Sequence, residues 1–260
     1  MRVVILDVDD TLFDWLGMWS ESFSALITSI EHASEKSRQE LTTIFRTFHV
    51  AAKTSERGLS GGDAQSLGVA SSFASRAADE FEENLRKRTV CFPQVLDTLE
   101  RLQARGLRLI AHTDTPVNIA ADRLVKLGLD GVVEALFATS SHGVTIFRQD
   151  LAWPTQSRVV DIPYLKPDTR SIGAVLSDIG ENAGDCIYVG DSKMKDIPMA
   201  RAMGMRDVFA GYGCRRASDA YNLLRSVSHW TSADIERERS LLSTEATYSL
   251  DSFEQVLSLM

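Results

Sequence analysis

A chain of 260 residues with 44% hydrophobic and 25% charged residues has the composition of an ordinary globular protein, long enough for one large domain with or without a smaller companion. Its 28 basic and 36 acidic residues leave a net charge of −8, which argues against nucleic acid as a partner, because phosphate-backbone binding relies on basic patches. No apolar run reaches the ~18–20 residues of a membrane span, Asp7 cuts the first apolar run too early for a signal peptide, and three scattered cysteines without a CxxC pair suit reduced thiols in a cytoplasm.

Taken in chain order, Arg2 to Leu6 reads as a short buried strand. Three stretches with helical spacing follow: Trp15, Trp19, Phe23, Leu26, Ile27 and Ile30; then Leu41, Ile44, Phe45 and Phe48; then Leu67, Ala70, Ala74, Ala77, Phe81 and Leu85. The "GLSGGD" of Gly58 to Asp63 separates the second from the third. Three helices with no strand between them read as a helical insertion ending near "CFPQ" at Cys91 to Gln94. Beyond it strands and helices alternate. "LRLIA" (107–111), "ALFAT" (135–139), "CIYVG" (186–190) and "RDVFA" (206–210) read as strands, with helices over Val95–Leu102, Pro116–Leu127 and up to Gly204. A final packing helix is expected over Ser252–Leu259. This alternation predicts an α/β protein with a doubly wound parallel sheet, a Rossmann-like core of residues 1–14 and 93–260 with a helical domain of residues 15–92 inserted after the first strand. The long connection Ser140–Pro163 carries His142, Phe147 and Trp153, and its "VTIF" and "RVVDI" segments suggest a hairpin.

In an open parallel sheet, ligands bind beyond the carboxyl ends of the strands. The first strand delivers Asp7, Asp9 and Thr11 to that edge. The second delivers His112, Thr113 and Asp114, just ahead of a helix that Pro116 can start. "CIYVG" delivers Asp191 and Ser192, with Asp196 close behind, and Lys166 sits in "YLKPD". Crowded carboxylates repel one another, a cost that a metal ion or a phosphoryl group offsets. Mg²⁺ prefers oxygen ligands of this type. Asp7 and Asp9 leave the strand in related directions, so one can attack phosphorus while the other manages a proton. Thr113 at a helix N-terminus and Lys166 can hold phosphate oxygens and neutralise developing charge. Together these residues describe phosphoryl transfer through an aspartyl-phosphate.

The motifs resemble those of the haloacid dehalogenase-like (HAD) hydrolase superfamily, in its capped, phosphatase-type form. "DVDDT" at Asp7–Thr11 is similar to its first motif, "LIAHTD" at Leu109–Asp114 to its second, Lys166 in "KPD" to its third, and "GDSKMKDIPMARAMGM" at Gly190–Met205 to its fourth. The resemblance implies a Mg²⁺-dependent phosphohydrolase acting on a small phosphorylated metabolite, with the insertion as its cap. It implies Asp7 as nucleophile and metal ligand. Asp9 would be the general acid and base, giving its backbone carbonyl to the metal. Thr113 and Lys166 would hold the phosphoryl group, Asp114 would face the substrate, and Asp191 would be a metal ligand, with Asp196 orienting that shell or Lys166. Two positions depart from the family pattern: Asp114 and Lys195 stand where Asn is common.

Asp9 argues against a dehalogenase, since halide departure needs no proton donor. A phosphomutase shares the aspartyl-phosphate but shields it from water, and a phosphonate hydrolase would need a cap lysine, for which Lys53 is the nearest candidate. From another class, a phospho-acceptor signalling module also gathers acids, Thr or Ser and Lys around Mg²⁺, but is shorter and lacks the insertion. Asp10 reads as a solvated or supporting residue, His112 and His142 as structural, and Trp15, Trp19 and Phe23 as cap core. Substrate choice is expected from the cap and the 140–163 connection. Because the acid must carry a proton when the leaving group departs, activity should peak at mildly acidic to neutral pH; a rate still rising above pH ~9 contradicts that assignment.

Overall fold

The computed structural model describes residues 2–52, 54–139, 155–214, 218–241 and 243–260. The seven strands β1 (Val3–Leu6), β2 (Arg108–Pro116), β3 (Ala135–Thr139), β4 (Arg158–Ile162), β5 (Cys186–Gly190), β6 (Arg206–Ala210) and β7 (Tyr248–Leu250) form one sheet in the order β4-β3-β2-β1-β5-β6-β7. Every neighbouring pair is parallel. The four residues of β1 are all fully buried, and their period of two sends Val3 and Ile5 to one face and Val4 and Leu6 to the other. Both faces therefore need cover, which is why this strand sits in the middle.

Helices α1 (Trp15–Ala33), α2 (Arg38–Ala52), α3 (Ala64–Leu67) and α4 (Ser71–Arg88) lie between β1 and β2, with α5 (Val95–Ala104) leading into β2. The crossovers are α6 (Val117–Lys126), α7 (Thr169–Ile179) and α8 (Asp196–Ala202), and α9 (Asp219–Val227) and α10 (Ser232–Leu241) lie between β6 and β7. Leu99 and Leu102 of α5 and Leu124 of α6 cover the Val4 and Leu6 face, while Ile172 and Val175 of α7 and Met199 of α8 cover the Val3 and Ile5 face. The sheet is thus doubly wound. Among the described residues, no helix is long and apolar enough to cross a membrane.

The inserted helices have a core of their own. Trp19 and Phe23, four apart on α1, stack at 4.9 Å, and Phe45 of α2 meets Phe23 edge-on at 4.9 Å. The chain enters and leaves the insertion side by side, with Phe13 bridged to Cys91 and the Phe92 N–H donating to the Leu12 carbonyl at 2.9 Å. Val227 of α9 joins this core. The last carbonyls of α9, which a helix cannot satisfy internally, are met from α2: Arg46 donates to Arg225 and Ser226 at 3.3 and 3.4 Å, and His49 Nδ1–H donates to Val227 at 2.9 Å. The segment after β6 therefore straps the insertion to the sheet.

"RVVDI" is a strand, β4, parallel to β3 at the edge of the sheet among the described residues, with Ile162 its only buried residue. "VTIF", His142, Phe147 and Trp153 lie outside the described residues. The closing helix is a 3₁₀ segment, Phe253–Leu259, burying Phe253, Val256 and Leu257. Strand β7, with one buried residue in three, is too short to show a period.

Burial lowers the His49 imidazole from 6.5 to about 4, the Val227 carbonyl only partly opposing it. The unfolded chain protonates His49 near pH 6.5 and the folded one near 4, so stability is full above pH ~6.5 and falls as pH drops toward 4. His49→Gln, which keeps an N–H for Val227, should flatten the fall in Tm between about pH 7 and 5; an unchanged slope refutes this linkage.

Candidate active site

The strand order reverses at β1, whose chain neighbour β2 lies on one side and β5 on the other, so a crevice opens at their carboxyl ends. Asp7 is the first residue past β1. Its N–H still donates to the Val189 carbonyl at 2.9 Å, holding the backbone in the sheet while the side chain turns into the crevice. There the buried Lys166 ammonium donates to Asp7 Oδ1 at 2.6 Å and to Asp196 Oδ1 at 2.7 Å. Thr11 Oγ1 donates to Asp7 Oδ2 at 3.2 Å, and Asp196 Oδ2 accepts the Ser192 N–H at 3.0 Å.

Lys166 stands among several carboxylates. Burial, with repulsion from Asp196, Asp191 and Asp9, pushes the Asp7 carboxyl well above its usual range despite Lys166. Burial works against the Lys166 charge as well, but Asp196 and Asp7 outweigh it and hold the ammonium above its usual value. Carboxylate oxygens of Asp7, Asp191 and Asp196 come within 4.8 Å of one another. An oxygen-only, over-charged donor set of this kind fits a hard divalent cation such as Mg²⁺.

The two departures from the family pattern meet each other. Lys195 Nζ donates to Asp114 Oδ2 at 2.7 Å, and the Lys166 backbone N–H donates to Asp114 Oδ1 at 2.8 Å. Both Asp114 oxygens are thus engaged inside the protein, where they position the backbone of Lys166. Thr113 is not a helix N-cap, because β2 runs on to Pro116; its hydroxyl accepts the Thr115 N–H at 3.1 Å and lies 3.4 Å from Asp9 Oδ2.

Asp9 has partners that sequence reasoning missed. Its Oδ2 accepts the Thr115 hydroxyl at 2.6 Å and its Oδ1 accepts Arg123 Nη1–H at 2.9 Å. Arg123 Nη2–H reaches Glu56 Oε2 at 2.7 Å. His112 is fully buried between Tyr188 and Ser171, as a structural residue would be.

A cavity of about 200 Å³ lies over these groups, and every candidate residue from Asp7 to Asp196 lines it. Trp15 and Leu16 of α1 form part of its wall. The rest comes from the segment between β6 and β7: Tyr221 and Leu224 of α9, Trp230, and Glu238 of α10, whose carboxylate accepts the Tyr221 hydroxyl. These residues follow an ordinary amphipathic pattern, so nothing in the sequence marks them.

A model of the haloacid dehalogenase-like hydrolases matches residues 1–204. The chain belongs to that family. The chain is 24% identical over 218 residues to phosphoglycolate phosphatase 1 of Pseudomonas aeruginosa, covering 82% of this chain and 70% of that protein. It is 28% identical over 149 residues to the phosphoglycolate phosphatase of Pseudomonas syringae pv. tomato, covering 56% of this chain and 47% of that protein, about half its length. Among solved structures, a putative beta-phosphoglucomutase from Thermotoga maritima superposes with a TM-score of 0.61 at 17% identity, with both chains fully covered, a likeness of fold alone.

Gly213 shows how tightly the site is framed. A Cβ there would sit 1.6 Å from the Asp10 carbonyl oxygen, and Asp10 itself holds a left-handed φ of 57° while accepting the Leu16 N–H at 2.9 Å. Gly213→Ala should therefore displace the catalytic loop, destabilising the fold by roughly 1–3 kcal/mol or more and lowering Tm and turnover together. A variant with wild-type Tm and rate would contradict this packing.

Proposed function

We propose that this chain is a Mg²⁺-dependent phosphohydrolase that cleaves a small phosphorylated metabolite through an aspartyl-phosphate on Asp7. The observation that carries the reading is the buried Lys166 ammonium shared by Asp7 and Asp196, with carboxylates in excess of its charge, on the floor of a cavity of about 200 Å³. That volume suits an ester of few carbons. The phosphatases among the relatives support a phosphate ester as substrate.

Lys166 aims Asp7, opposes the burial and repulsion that raise its carboxyl, and neutralises charge gathering on the phosphoryl oxygens. Thr113 and the backbone amides that follow Asp7 hold those oxygens. An Asp7 carboxylate oxygen bonds to phosphorus as the P–O bond to the leaving group breaks. The electron pair stays on the ester oxygen, which takes a proton from Asp9. Water then bonds to phosphorus and gives a proton to Asp9, the bond from Asp7 to phosphorus breaks, and inorganic phosphate leaves. Asp7, Asp191 and the Asp9 backbone carbonyl would hold Mg²⁺, with Asp196 and Lys166 orienting the set. The bound cation supplies charge stabilisation for the transferring phosphoryl group. Asp114 acts by positioning Lys166, and the α1 and α9–α10 wall selects the leaving group. The acid–base pair favours hydrolysis over dehalogenation, and the charge balance and absence of an apolar span among the described helices suit a cytoplasmic enzyme.

The test is phosphate release from a panel containing phosphoglycolate, glycerol 3-phosphate, glucose 6-phosphate and p-nitrophenyl phosphate, with and without Mg²⁺. Release should require Mg²⁺ and vanish in Asp7→Asn. A native protein that releases none and retains a phosphoryl group on Asp7 would be a mutase or an acceptor module instead.

A further inference from the structure

Arg123 is a buried charge that the proposed reaction does not yet use. It lies on α6, is 6% exposed, and belongs to none of the four motifs. A guanidinium is buried at a penalty unless its N–H groups are paired, and such pairs are weak evidence for a stabilising role. Here the pairing is divided. Nη1 holds Asp9 at 2.9 Å while Nη2 holds Glu56 at 2.7 Å, and the planar fork fixes the angle between the two bonds. Thr115 holds the other Asp9 oxygen at 2.6 Å, so the carboxylate is fixed at both ends. Glu56 belongs to the connection after α2, and its second oxygen accepts Trp15 Nε1–H at 2.7 Å, from an indole that lines the cavity.

We propose that Arg123 is the positioning residue of Asp9, and that Glu56 ties this positioning to the seating of the inserted helices over the site. The inference rests on Asp9 being the acid of the proposed reaction. Arg123 is not among the residues lining the cavity, so its influence runs through where the Asp9 carboxyl points. With Nη2 held by Glu56, Nη1 approaches Asp9 from one direction only. When the connection carrying Glu56 moves away, the guanidinium turns freely and Asp9 loses its alignment. Proton delivery is thereby confined to the state in which the insertion covers the cavity and excludes water.

Leaving-group dependence separates this role from a structural one. An alkoxide departs poorly without a proton, whereas p-nitrophenolate departs readily. The ratio of the two rates within one preparation does not depend on how much of it is folded. The full chain with Mg²⁺ is assayed as wild type, Arg123→Lys and Glu56→Gln on p-nitrophenyl phosphate and on whichever alkyl phosphate of the panel the wild type cleaves fastest. Arg123→Lys keeps the charge and loses the fork, and Glu56→Gln can accept from only one of its two donors. In Arg123→Lys, kcat/KM on the alkyl phosphate, which reports the steps through departure of the leaving group and not the shared hydrolysis of the aspartyl-phosphate, should fall about 30-fold, inside the ~10²–10⁴ that a general acid supplies, with kcat/KM on the aryl ester within about threefold of wild type. Glu56→Gln should move the ratio the same way by a smaller factor. Equal losses on the two esters in Arg123→Lys, or an unchanged alkyl rate, overturn the inference and leave the phosphohydrolase reading standing. A ratio that moves in Arg123→Lys but not in Glu56→Gln overturns the link to the insertion. A wild type that releases phosphate from neither ester overturns the phosphohydrolase reading, and this inference with it.

Discussion

Lys166 is one positive charge set among the carboxylates of Asp7, Asp191 and Asp196, and much of the molecule is arranged to keep it there. Its backbone is pinned by Asp114 and its ammonium by Asp7 and Asp196. Gly190 makes room for Asp196, since a Cβ at that position would fall 2.4 Å from the Asp196 carboxylate. Two buried carboxylates, of Asp7 and Asp196, hold one buried ammonium, and an oxygen of the half-buried Asp191 lies within 4.8 Å of theirs. That convergence of carboxylate oxygens is the physical argument for a divalent cation at this site.

The insertion is not a free appendage. Its entry and exit chains pair at Phe13 and Cys91, α9 contributes Val227 to its core, and Arg46 and His49 finish the end of α9. The same α9–α10 segment supplies Tyr221, Trp230 and Glu238 to the cavity wall. Strapping the insertion and shaping the mouth are therefore tasks of one stretch of chain, so a change in α9 reaches both the seating of the insertion and the wall of the cavity.

The sheet and the floor of the site were legible because their signals are local. β1 is an unbroken apolar run that ends in acids, and the residues after β2 and β5 carry the polar groups that a crevice needs. What escaped was either short or distant. β7 is an edge strand of three residues that buries only one, so no period survives. The 140–163 connection as a selector of substrate falls largely on residues outside those described. Arg123 and Asp9 are 114 residues apart, and Arg123 and Glu56 are 67 apart on elements whose patterns are ordinarily amphipathic. The Asp114–Lys195 pair is the sharpest case. Each residue alone looked like a departure, and only their 2.7 Å contact across 81 residues shows one compensating the other.

The carboxylates around Lys166 can be probed without knowing the substrate. Thermal unfolding of the metal-free chain against increasing Mg²⁺ reports the cation directly, because a ligand that binds only the folded state raises Tm in a saturable way. If these carboxylates hold a divalent cation, Tm rises, saturates with Mg²⁺, and loses this response in Asp191→Asn. A wild-type Tm indifferent to Mg²⁺, or one that Asp191→Asn leaves equally responsive, would contradict a cation held by these carboxylates.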